Sequence, residues 1–162
     1  MSAPDGPILI AFDGSAAARQ AVTDAAWFAQ PRRALILTVW EGALAYAMVT
    51  PSPSVSMGPA MDPAAALDVD HELGRRAERI AGEGAELARS LGLEAQPLAM
   101  PDGGDVATTI LDVAREHDAA AIVVGSRGLN GLRARLEGST SKGVVKHASC
   151  PVLIVHEHGD HD

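Results

Sequence analysis

Four short runs along the chain are apolar at nearly every position instead of at every second one. They are residues 7–12 (PILIAF), 34–39 (ALILTV), 120–124 (AAIVV) and 151–155 (PVLIV). A strand with one wet face alternates polar with apolar residues; these do not, so they are predicted to be strands of a parallel sheet covered on both sides. A fifth run, 93–99 (LEAQPLA), is weaker and contains Pro97. Proline cannot donate to a sheet ladder, which assigns this strand to an edge. Between the runs the apolar spacing turns helical. Ala18, Ala21, Val22, Ala25, Phe28 and Ala29 share a stripe behind an N-cap at Ser15. Leu73, Ala77, Ile80, Gly84, Leu87 and Leu91 step by threes and fours along a long helix. Gly82 and Gly84 each weaken that helix by roughly 1 kcal/mol relative to Ala, an expense consistent with close packing on the sheet. Val106, Ile110, Val113, Ala114 and His117 mark a third helix capped at Asp105, and a fourth runs from Ser139 to about Ala148, stopped by Pro151.

The resulting order, β-α-β-α-β-α-β-α-β, predicts an α/β fold: one doubly wound, five-stranded parallel sheet with helices on both faces and right-handed crossovers. With the Pro97 strand at an edge, the strand order is 3-2-1-4-5. The chain reverses its winding between strands 1 and 4, and ligands of such folds bind outside the carboxyl ends of the strands at that reversal. Asp13-Gly14-Ser15 and the turn 125–128 (GSRG) lie there. One domain accounts for residues 1–162, with residues 157–162 as a tail. The segment 41–63 breaks the rhythm: it contains Pro51, Pro53, Pro59 and Pro63 together with three methionines. It reads as a long mobile loop leaving the same end of the sheet, either a lid over the site or an insertion without a role.

Composition narrows the function classes. The hydrophobic fraction is 47% but aromatics contribute only 3%, so the core is built from Ala, Val, Leu and Ile. A net charge of −8, with no basic cluster, argues against a nucleic-acid partner, because a phosphate backbone needs a basic face. The single cysteine, Cys150, excludes an internal disulfide and reads as a small core residue. No apolar run approaches the ~20 residues that cross a bilayer, and residues 1–6 carry no secretory pattern; the expected location is the cytoplasm. His156, His158 and His161 near the end have no partner that would fix them as ligands, so no metal site is assigned.

The chemistry concentrates after strand 4. Gly125 and Gly128 lie three apart, and nine residues then precede Gly138-Ser139-Thr140-Ser141. Glycines following a buried strand allow a sharp turn and close approach of backbone to ligand. A helix opening at Ser139 presents free N–H groups and hydroxyls to an anion. Together these make a phosphate cradle, and a side chain at Gly125 or Gly138 is expected to obstruct it and weaken binding while leaving the fold intact.

Gly-x-x-Gly, nine residues, then Gly-Ser resembles the ATP-binding signature of the universal stress protein family. The strand and turn 10–15 (IAFDGS) and the segment 150–155 (CPVLIV) resemble that family as well. The likeness covers the chain except loop 41–63 and the termini. It implies ATP, with Mg2+, between strands 1 and 4. It further implies that Ala11, Phe12, Asp13 and Val39 meet the base or ribose. Gly125, Arg127 and Gly128 would follow the ribose and phosphates, and Gly138, Ser139, Thr140 and Ser141 would hold the phosphates. Neither a Walker P-loop nor a Gly-x-Gly-x-x-Gly turn after strand 1 is present. No catalytic base is evident, so a regulatory ATP-binding protein of the stress response is expected. The alternatives are a slow ATPase or phosphotransferase and a nucleotide-free dimeric scaffold. The apolar edge strand 151–155 has no Pro or charge within 152–155 to discourage pairing. It points to a homodimer or to a covering loop, and the resemblance to the dimer. A regulatory protein partner is compatible with the same reading.

Overall fold

A computed structural model describes residues 5–29, 33–42, 63–103, 105–126 and 139–156. The strands are β1 (Ile8–Ala11), β2 (Arg33–Trp40), β3 (Glu94–Pro101), β4 (Ala121–Gly125) and β5 (Val152–Val155). The helices are α1 (Ala16–Phe28), α2 (Pro63–Ser90), α3 (Val106–Glu116) and α4 (Ser139–His147). All neighbouring strands pair in parallel, and the order is β3-β2-β1-β4-β5. The expected topology is therefore the observed one, with Pro97 on the edge strand β3.

Strand parity divides the core into two. Ile8, Ile10, Ala34, Ile36 and Val123, joined by Phe12, face the alanines of α1 and α2. Leu9, Leu35, Leu37, Val39, Ile122 and Val124 face α3 and Val144 of α4. Helices thus cover both faces, and every strand except edge strands β3 and β5 is buried along nearly its whole length. Ser15 caps α1 by accepting from the Ala18 amide at 3.1 Å. Asp105 caps α3 by accepting from the Thr108 amide at 3.1 Å and from the Thr108 hydroxyl.

Three sequence expectations change. The buried stripe of α1 ends at Ala26: Phe28, placed on that stripe by its spacing, is 75% exposed, and Trp27 beside it is 86% exposed. Ala29, one residue further, still packs against this core, so Phe28, about 100° away around the helix, lies at the margin of the stripe and not at its centre. The long helix begins at Pro63, ten residues before its apolar stripe. Proline is pre-organised for a first helical position, and the exposed Leu67 and Val69 show why no stripe announces these turns. Residues 43–62 of the expected loop lie outside the described residues.

The third change concerns the two glycines of α2. A Cβ on Gly84 would sit 2.7 Å from Cδ1 of Phe12 and 2.8 Å from Cγ2 of Ile36, whereas a Cβ on Gly82 meets nothing within 4 Å. Close packing explains Gly84 and does not explain Gly82. Gly82→Ala is therefore expected to stabilise the protein by about 1 kcal/mol through helix propensity. Gly84→Ala should destabilise it by about 1–3 kcal/mol through overpacking. Urea unfolding of the two variants should move in opposite directions.

The Asp105 cap adds a pH dependence. The Thr108 hydroxyl and then the Thr108 amide hold its carboxyl below the usual range. A lowered folded pKa contributes stability that is present in full above the unfolded value, about 3.9, and is lost as pH falls through the folded value. The difference in urea midpoint between the wild type and Asp105→Ala should be full at neutral pH and shrink in acid.

Candidate functional site

The winding reverses where β1 and β4 lie side by side, and their carboxyl ends open a crevice there. Its floor is apolar: Leu37 and Val39 of β2, Val124 of β4 and Ile110 of α3 line it, with Ala11 and Ala18. Asp13, Ser15, Gly125, Thr140 and Ser141 ring its mouth. The enclosed part is about 30 Å³, room for about one or two waters.

The rim is set by local chemistry. Gly14 has φ +79°, a left-handed conformation that an L side chain resists. This lets the chain turn directly from β1 into α1. Asp13 Oδ1 accepts from the Ser15 amide at 2.9 Å, bracing the turn. No further hydrogen bond engages Asp13 among the described residues. On the opposite wall the Ser141 hydroxyl donates to the Gly125 carbonyl at 3.2 Å, tying the first turn of α4 to the end of β4. The Ser126 amide donates to the Val155 carbonyl at 2.7 Å, so the end of β4 is held by β5 as well.

Of the sequence-predicted residues, Ala11, Asp13, Val39, Gly125, Thr140 and Ser141 come together around this crevice. Phe12 borders it too, but its ring belongs to the other side of the sheet. That ring is packed at Gly84 with the Arg19 guanidinium 5.9 Å from its centroid. Ser139 is the first residue of α4. Arg127, Gly128 and Gly138 lie outside the described residues. Sequence reasoning placed Ser15 at the reversal without assigning it a contact, and missed Leu37, Val124, Ile110 and Ala18. Parity could have found the first of these, since Leu37 stands two residues before Val39 and shares its face. Ile110 needed the packing of α3 against the sheet, which no local pattern encodes.

Cys150 is half-buried against the α3–α4 core, and burial pushes its thiol up from the usual range. It takes no part in the crevice. Among the described residues, no three His, Cys, Asp or Glu side chains gather as metal ligands. Of the terminal histidines only His156 is described, and it is exposed. No described helix is long and apolar enough to cross a membrane.

Gly125 also meets a packing requirement that its motif does not suggest. A Cβ there would point at α1, 3.3 Å from Cβ and 3.4 Å from the carbonyl carbon of Ala17. The missing side chain lets α1 approach the end of β4. Gly125→Val should therefore disturb the fold, costing about 1–3 kcal/mol by overpacking, and not act on ligand alone. Thermal melting of the variant checks this: a wild-type midpoint would contradict the packing role.

Comparison with known proteins agrees with this geometry. The sequence model described as the universal stress protein family matches residues 6–156. Universal stress protein YxiE of Bacillus subtilis is 32% identical over 149 residues, covering 91% of this chain and 97% of that one. Among solved structures, the universal stress protein of Archaeoglobus fulgidus in complex with dAMP superposes with a TM-score of 0.60 at 24% identity. It covers 93% of this chain and 97% of that one. A universal stress protein family protein of Arabidopsis thaliana with AMP bound superposes with a TM-score of 0.61 at 16% identity, covering 96% and 94%. At these identities the two structures speak for the fold.

Proposed function

The chain belongs to the universal stress protein family, and from that premise we propose that it is an ATP-binding regulatory protein of the stress response, with the nucleotide held between the ends of β1 and β4. The observation that carries this reading is the pairing of an apolar floor with a polar rim at the reversal of the sheet. Leu37, Val39, Ile110 and Val124 offer a surface for a flat base. Asp13 supplies an acceptor suited to an amine or a ribose hydroxyl. The opening of α4, with Thr140 and Ser141 beside Gly125, faces the same space and suits phosphate oxygens through N–H groups, the Thr140 hydroxyl and the helix dipole. The glycine spacing from 125 to 138 and Arg127 extend that cradle in sequence. The dAMP and AMP bound by two relatives of the same fold support an adenine nucleotide.

Binding is favoured over turnover. The one carboxylate among the described lining residues, Asp13, stands just past the end of β1 and is engaged by the Ser15 amide. A general base must lie within hydrogen-bond reach of the proton it takes. Mg2+ bound with the triphosphate would screen its charge, with Thr140 as a neighbouring oxygen donor. In the assembly we assign, two copies pair through β5, whose Leu153 and Ile154 are each 37% exposed. The protein acts in the cytoplasm.

Purified protein, denatured and cleared, is expected to release adenine nucleotide, and calorimetry should show ATP binding in the presence of Mg2+. Gly138→Val should weaken that binding at least about tenfold by obstructing the phosphate path. Nucleotide-free protein that binds neither ATP nor AMP would reject the reading in favour of a scaffold. Steady phosphate release abolished by Gly138→Val would favour the enzyme.

A further inference from the structure

Three polar side chains among the described residues are buried: Thr38, Thr109 and Ser141. Each is tied to backbone at the carboxyl end of the sheet. Thr109 accepts from the Gly103 amide and donates to the Asp105 carbonyl, both at 3.1 Å, holding the loop after β3. The other two flank the crevice. The Thr38 hydroxyl donates to the Phe12 carbonyl at 2.8 Å, and the Ser141 hydroxyl donates to the Gly125 carbonyl at 3.2 Å.

We propose that Thr38 and Ser141 are positioning residues whose hydroxyls fix the two walls of the crevice before any ligand arrives, an inference that rests on the nucleotide-binding reading above for its use. A peptide group is planar, so gripping a carbonyl also aims the N–H that shares its plane. The Phe12 carbonyl shares its plane with the amide of Asp13, the rim acceptor. The Gly125 carbonyl shares its plane with the Ser126 amide, which itself donates to Val155. Each wall is thereby set by a hydroxyl from a rigid element, β2 on one side and α4 on the other. Neither hydroxyl is needed to fill space, since Val or Ala would pack in its place, and a buried hydroxyl is costly unless bonded. The positions of the bonds therefore point to a role at the strand ends.

The test uses Thr38→Val, which keeps the branched shape without the donor, Ser141→Ala, and Thr38→Ser as the variant that retains the hydroxyl. Three quantities are read on the full chain: the urea midpoint, amide hydrogen exchange of segments 12–15 and 125–126 without ligand, and ATP affinity by calorimetry. Loss of one buried hydrogen bond predicts about fivefold to tenfold faster exchange in the matching segment and a similar fall in affinity of the folded protein. Thr38→Ser should stay within about twofold of the wild type in both. A merely structural role would shift the urea midpoint alone, leaving local exchange and affinity unchanged, and that result overturns the proposal. If the wild type binds no nucleotide, the functional reading falls separately, and the exchange data still decide whether the hydroxyls set the walls.

Discussion

The seat of Phe12 is the interaction on which the rest of the structure depends. Its ring is the largest fully buried side chain among the described residues. It lies on the α1–α2 side of the sheet, where Gly84 leaves the space that a Cβ would take. Its backbone serves the opposite purpose. The Phe12 amide donates to the Leu37 carbonyl at 2.8 Å, its carbonyl accepts from Thr38, and the next residue is the rim carboxylate Asp13. A large apolar anchor thus fixes, within one residue, the point at which a fully paired strand becomes the open turn at the crevice rim. Displacing the ring would move the turn, because the chain between them has no slack.

The same economy governs the rest of the sheet. With aromatics at 3% of the sequence, the helices reach the strands mainly through alanine: Ala18, Ala21, Ala25, Ala85 and Ala88 on one face, Ala107 and Ala114 on the other. Small contact residues bring helix and sheet backbones close, and the approach of Ala17 to Gly125 belongs to that pattern. Close packing on both faces leaves the central strands β1, β2 and β4 no wet side. At their carboxyl ends the core admits polar side chains that hold backbone.

Much of this was legible in the sequence because it rests on local pattern. Unbroken apolar runs gave the strands, Pro97 gave the edge, Ser15 and Asp105 gave the caps, and together they gave the strand order. The lining of the crevice was legible where it coincides with strand ends and helix starts, as at Asp13, Val39, Thr140 and Ser141. What escaped depends on the relative lengths and closeness of elements. Phe28 keeps helical spacing yet lies at the margin of the stripe, exposed although Ala29 after it still packs on the core. Pro63 opens a helix that no stripe marks. Gly82 and Gly84 look alike until the ring of Phe12 distinguishes them. Gly125 carries a motif's glycine, but its missing side chain faces a helix. Spacing shows where a small residue is required and does not show what occupies the space.

That distinction bears on how a glycine signature should be read at such a site. Glycine serves a ligand when the absent Cβ would point into the crevice, and it serves the fold when the absent Cβ would point into a neighbouring element. Gly125 is of the second kind, and Gly14, with its left-handed φ, meets a backbone requirement of the turn. The described rim therefore owes its shape to packing and to backbone geometry before any ligand contact is counted. A crevice shaped this way is pre-organised, since the energy that holds it comes from the folded core and need not be supplied by a ligand on binding. Such a site suits a protein that reports the presence of a nucleotide, because little of the binding energy is consumed in building the receptor.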